Sequence, residues 1–182
     1  MDEPSPLRVL VAVASRHGAT AEIAAAVADG VRSTLPSGAV VVHDAADVAD
    51  VTGFDAAVLG SAVYFGHWLE EARELLLRCA VPLWDLPVWI FSSGPLGVPP
   101  RPPEVFLDVD EVRRLSRPRE HRIFPGRLDP GVLDFAERAL VTALRAPVGD
   151  FRDLAAARAW GADIGAEIEH LSADAAVTEA AP

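Results

Sequence analysis

Between Ser15 and Thr20 the chain gathers two hydroxyls, an arginine, a histidine and a glycine, in the order Ser15-Arg16-His17-Gly18-Ala19-Thr20. Hydroxyls and backbone N–H groups are what an anion needs, and a glycine lets the backbone close on it with no Cβ in the way. The stretch follows Val9–Ala14, a run of small and β-branched apolar residues that reads as a strand buried on both faces. After it Ile23, Val27 and Val31 recur every four residues, with Ala24 and Ala28 beside them, which is a helical period. A strand that runs through such a turn into a helix collects free N–H groups, two hydroxyls and the positive helix end in one small volume. That volume suits a phosphate. A hydroxyl-capped helix after an ordinary strand-to-helix turn is the alternative these residues leave open. G-x-G-x-x-G and Walker A patterns are both absent, so a single compact phosphate fits better than a pyrophosphate.

Two more loops of small and hydroxyl residues follow apolar runs. Phe54–Gly60 reads as a third strand, after a short second one at Ala39–His43, and it leads into Ser61, Ala62, Val63, Tyr64, Phe65, Gly66, His67 and Trp68. Leu86–Ser92 reads as a fourth strand, and Ser93-Gly94-Pro95-Leu96-Gly97 follows it. His121–Pro125 is a short fifth. Helices are expected over 69–80 and 131–144, the latter capped by Asp129 with Pro130 in its first turn, and a last one after Asp150 or Asp153 with Ala157, Trp160, Ile164, Ile168 and Leu171 on its apolar face. Alternating strands and helices with right-handed crossovers build a parallel sheet covered on both faces. Ligands of such sheets bind beyond the carboxyl ends of the strands, where the strand order reverses. The three loops should therefore meet on one rim.

Composition bounds the rest. At 182 residues and 51% apolar, the chain can bury one substantial core, as a single domain over 1–172 with a Pro/Arg-rich insertion at about 95–118 and a flexible acidic tail over 173–182. A net charge of −11 argues against duplex nucleic acid or an anionic membrane as the main partner. The chain has no lysine, which removes Schiff-base and P-loop chemistry. Cys79 falls in an apolar helical pattern and reads as a small core residue. The five histidines lack metal-ligand spacing, so no metal is expected, and His67 is a candidate for proton transfer. The acidic, proline-rich start does not read as a signal peptide and no apolar run approaches the ~20 residues of a membrane span, so the expectation is a cytoplasmic protein without an integral membrane segment. Arg113, Arg114, Arg117, Arg119 and Arg122 form the basic concentration, either a solvated face balanced by neighbouring acids or a carboxylate-binding patch.

Ser15-Arg16-His17-Gly18-Ala19-Thr20 after VLVAVA resembles the phosphate loop of the flavodoxin family, in which a hydroxyl residue, two variable positions, Gly, one variable position and Thr succeed one another. The resemblance implies an α/β, flavodoxin-like, doubly wound five-stranded parallel sheet with FMN as the cofactor, its phosphate held by Ser15, Arg16, His17, Gly18, Ala19 and Thr20. It implies further that the flavin ring lies between Ser61, Ala62, Val63, Tyr64, Phe65 and Gly66 on one side and Ser92, Ser93, Gly94, Pro95, Leu96 and Gly97 on the other. Tyr64 is the expected aromatic face, with Phe65 or Trp68 as alternates, and the amides of Ala62, Ser93 and Gly94 would meet the ring's polar edge. Beyond these loops, GSAVYFGHWLEEAR, VWIFSSGPLG, FPGRLD and GDFRDLAAARAWGADI resemble the branch of that superfamily containing menaquinone-dependent protoporphyrinogen oxidase. This implies an FMN enzyme that passes hydrogen from a porphyrinogen to a quinone; a porphyrin's two propionates would suit the arginine cluster, although a solvated face balanced by Glu104, Asp108, Asp110, Glu111 and Glu120 is the favoured reading of it. An electron carrier that meets a redox protein partner through its acidic surface, and a cofactor-free interaction module, are the other readings. A homodimer is a further expectation.

Overall fold

A strand covered on both faces needs apolar residues at every position, and β1 (Arg8–Ala14) supplies six consecutive buried ones after Arg8. The computed structural model describes residues 6–94 and 107–179. In it β1 lies between β2 (Ala39–Asp44) and β3 (Ala56–Tyr64), and the parallel order runs β2-β1-β3-β5-β6 with β5 at Val88–Ser93 and β6 at Glu120–Phe124. The two-residue β4 (His67–Trp68) folds back antiparallel on the end of β3, while β7 (Arg127–Leu128) and β8 (Gly149–Asp150) form a separate ribbon. Strand order reverses at β1, so the crevice beyond β1 and β3 is where a ligand belongs.

Side chains alternate across the sheet and build one apolar layer on each face. Val9, Val11, Val58, Trp89 and Phe91 pack under α1 (Ala19–Thr34) and α5 (Leu154–Glu179). Leu10, Ala12, Leu59, Val88 and Ile90 pack under α2 (Glu70–Leu83) and α3 (Val109–Ser116), and Cys79 is buried in that layer. Burial pushes the Cys79 thiol up, away from the thiolate a nucleophile needs. Phe91, Phe124 and Trp160 meet edge to face at 5.7 to 6.2 Å between centroids.

Several boundaries differ from the sequence pattern. β3 continues through Tyr64 instead of ending at Gly60, because Ser61 and Ala62 pair with Ser92 and Ser93 of β5 and are buried there. Helix α4 (Phe135–Ala143) starts later than Asp129-Pro130 predicts. Asp134 and Glu137 form a reciprocal capping box, each accepting the other's backbone N–H, and Asp129 instead closes a turn by accepting from the Gly131 amide at 2.8 Å. Asp153, not Asp150, caps α5 through the Ala156 amide. That helix then runs past Ser172 to Glu179, where alanine-rich sequence favours its continuation.

Candidate functional site

Beyond the carboxyl ends of β1, β3 and β5 lies a cavity of about 280 Å³, and all three of the expected loops reach it. The first contributes Ser15, Arg16, His17, Ala19 and Thr20, the second Ala62, Val63, Tyr64 and Phe65, and the third Ser93 and Gly94. Pro95, Leu96 and Gly97 lie outside the described residues. At the turn from β1 into α1, Gly18 adopts φ 81°, a left-handed value that only glycine takes cheaply. Thr20 is buried at 3% exposure, and the Ser15 Oγ is buried without a hydrogen-bond partner. A buried hydroxyl with nothing to bond costs free energy, and an anion's oxygen in the cavity would remove that cost. Gly94 packs so near Val63 that a Cβ on it would sit 3.2 Å from the valine Cβ, which keeps this wall of the cavity thin.

Four of the sequence-derived candidates do not line the cavity themselves. Gly18 shapes the loop and does not line the cavity. Gly66 turns the β3–β4 hairpin at φ 81° and its carbonyl accepts from the Leu107 amide at 2.8 Å. Ser61 Oγ accepts from the Leu69 amide at 3.0 Å. Ser92 joins a buried relay in which the Trp68 indole donates to Ser92 Oγ at 2.8 Å and Ser92 Oγ shares a hydrogen bond with His121 Nε2 at 2.9 Å. Burial, with the Arg113 charge added, pushes His121 down to about 4, so it is neutral at pH 7. Trp68 itself is 2% exposed, and this packing under α2 removes it as a ring-stacking candidate. Tyr64 lines the cavity, half-buried, with the Arg16 guanidinium 5.6 Å from its ring centroid. Phe65 stands beside it at φ 53° and 62% exposed.

The remaining wall was not among the expected site residues. It comes from the segment after β6, where Val132, Leu133, Leu140, Val141 and Leu144 give the cavity an aliphatic lining. Arg127 and Glu137 add charge. Glu137 Oε1 lies 3.1 Å from Arg16 Nε and 3.2 Å from His17 Nε2, joining α4 directly to the first loop. Arg152, almost fully buried, ties the ribbon to α1 through Asp150 at 2.7 Å and Glu22 at 2.9 Å, and Arg127 reaches Glu22 at 3.3 Å. The Asp134 to Glu137 capping pattern was the readable signal for where this wall begins.

The arginine cluster lies elsewhere. The Arg119 amide donates to the Val88 carbonyl at the amino end of β5, opposite the rim where the cavity opens. Arg114, Arg119 and Arg122 pair with Glu111, Glu167 and Glu120, and Arg117 stacks 3.9 Å from the Trp84 centroid. Three of these five arginines are balanced by neighbouring acids, and the cluster lies away from the cavity, which favours the solvated face over a carboxylate-binding patch at that site. His67 bonds Asp108 at 2.7 Å, and that pairing turns it away from the cavity lining. Among the described residues, three or more acids, histidines or cysteines nowhere group as a metal site, and no helix is long and apolar enough to cross a membrane.

Among solved structures, a flavodoxin from the domain Archaea superposes with a TM-score of 0.60 at 16% identity, covering 90% of this chain and all of that one. The flavodiiron core of a Synechocystis protein gives 0.59 at 14% identity over 92% of this chain and 37% of its own length. A flavone reductase gives 0.58 at 11% identity, over 91% of this chain and 64% of that one. No curated protein matches. Residues 10–154 match the family model of the flavodoxin domain, which covers the strands and loops that build the cavity, so the chain belongs to the flavodoxin family and its cofactor is FMN.

Proposed function

We propose that this chain is an FMN-dependent oxidoreductase whose flavin ring is open on one face to a lipophilic acceptor of the quinone class. One observation supports the reading: a single cavity is lined by the hydroxyl-bearing first loop, by Tyr64 and by the aliphatic side chains that follow β6. Ser15 and Thr20 hydroxyls and the loop amides hold the flavin phosphate, with Arg16 and His17 beside it. Tyr64 packs against the ring, and burial, reinforced by the nearby Glu137 carboxylate, pushes its phenol up so that it stays protonated. The amides of Ala62, Ser93 and Gly94 meet the ring's polar edge. When bound, FMN supplies one- and two-electron chemistry, and the protein orients it and excludes water. Val132, Leu140 and Leu144 form the side against which a flat apolar reactant packs.

The sequence resemblance names a porphyrinogen as hydrogen donor. The cations that line the cavity and could reach its carboxylates are Arg16 and Arg127. A carrier function is the second reading, favoured by the archaeal flavodoxin that the chain covers end to end. Purified protein loaded with FMN and reduced anaerobically separates them. Rapid reoxidation by a naphthoquinone, with turnover of protoporphyrinogen, supports the enzyme. Electron delivery only to a cytochrome through a partner reductase supports the carrier. Protein that fails to retain added FMN overturns both.

A further inference from the structure

Glu137 does at the cavity what a ligand's anion would do. Its Oε1 sits 3.1 Å from Arg16 Nε and 3.2 Å from His17 Nε2, the two side chains of the first loop that can carry positive charge, while its Oε2 accepts from the Asp134 amide at 3.0 Å. That amide bond above all, with His17 and Arg16 behind it, holds the Glu137 carboxyl below the usual carboxylate range, so it is ionised at neutral pH. The helix that carries it is lightly attached. No residue of α4 is buried, and Phe135 at its start is 89% exposed. The helix nonetheless supplies Leu140 and Val141 to the cavity wall.

We propose that Glu137 is a latch: it occupies Arg16 and His17 as an internal anion, holds α4 across the cavity, and is displaced from them by the phosphate of the incoming flavin. This rests on the FMN reading above. Two anions cannot share those cations without repulsion, so a phosphate dianion entering the loop must take them from Glu137 or pay for the like charge beside it. The latch makes the site discriminate between flavins by their phosphate and couples loading to the position of α4. Riboflavin, which has the ring and no phosphate, gains nothing from its release.

Glu137→Gln tests this while leaving the capping box intact, since glutamine serves at the same position. Dissociation constants of FMN and riboflavin are measured on the apoprotein by flavin fluorescence quenching, and exchange of the α4 amides is followed by hydrogen–deuterium exchange. The expected result is FMN binding about threefold to fivefold tighter in the variant, the scale of an exposed ion pair, with riboflavin unchanged. In the wild type, FMN or inorganic phosphate should speed exchange in 135–143, and riboflavin should not. Arg16→Gln, which frees the latch from the other side, should speed that exchange without any ligand. The proposal is overturned if Glu137→Gln weakens FMN, leaves it unchanged, or tightens both flavins equally, or if α4 exchange ignores phosphate. If wild-type protein binds neither flavin, the FMN reading itself has failed. Binding of both flavins with no phosphate effect sinks the latch alone.

Discussion

Gly161 on α5 lies so close to Val27 on α1 that a Cβ built on it would fall 2.0 Å from the Val27 carbonyl oxygen. A Cβ built on Gly30 would fall at the same distance from the Arg158 carbonyl oxygen, and one built on Gly165 would fall 2.3 Å from Thr34 Oγ1, so three glycines let the two helices cross backbone to backbone. Gly161→Ala must push the helices apart and should cost about 1–3 kcal/mol, the usual scale of an overpacked core. A lower urea midpoint with an unchanged slope is the measurement.

Gly18 makes the contrasting case. A Cβ there meets nothing within 4 Å, and only the φ of +81° resists one. Gly18→Ala should therefore cost about 1–2 kcal/mol through the backbone alone, and Gly18→Asn, which tolerates the left-handed region, should recover part of it. FMN affinity should fall with the first and be partly restored by the second.

Tyr64 faces the cavity with Arg16 above its ring. Replacing it with leucine keeps apolar bulk and removes the aromatic face, so FMN should bind up to about tenfold more weakly, from the ~0.5–1.5 kcal/mol of ring packing. Riboflavin should weaken by the same factor, because this contact does not involve the phosphate. Parallel titrations of the two flavins check it.

Ser92 hydrogen-bonds both Trp68 and His121 beneath the cavity. Ser92→Ala removes the hydroxyl that joins them and should destabilise by about 1–3 kcal/mol, with little effect on FMN affinity.

His121 also makes stability depend on pH. It is pushed down to about 4 in the fold from an ordinary 6.5, so the unfolded chain takes up a proton first as pH falls. Its contribution is fully present above about 6.5 and is lost progressively toward 4. Chemical unfolding midpoints should decline over that window in the wild type and decline less in His121→Gln.

Asp150 acts at lower pH. The Arg152 side chain beside it holds its carboxyl down at about 2 against 3.8, so the tie is complete above about 3.8 and lost as pH falls through 2. Amide exchange at Phe151 and Arg152 should rise across that range before β1 and β3 open.

The first loop's place on the rim and the parallel sheet were legible because each rests on local pattern: an unbroken apolar run, a hydroxyl-rich glycine turn, then a four-residue period. Ser61 and Ser92 were not separable from ligand-binding hydroxyls, since a serine at a strand end looks the same whether it bonds a cofactor or the Leu69 amide and the Trp68 indole. The α4 wall was missed for a similar reason. Leu140 and Leu144 have the spacing of an ordinary core stripe, and only the fold turns that stripe toward a cavity. For the arginine cluster the acids close by in sequence favoured a solvated face, but nearness to the fifth strand carried no information about which end of the sheet it would occupy.

Gly94 packs on Val63, the Leu107 amide bonds the Gly66 carbonyl, and Asp108 bonds the Trp68 amide and the His67 ring, so one short hairpin anchors both flanks of residues 95–106. Both flanks therefore depend on one hairpin, and loosening it at Asp108 would free them together beside the cavity.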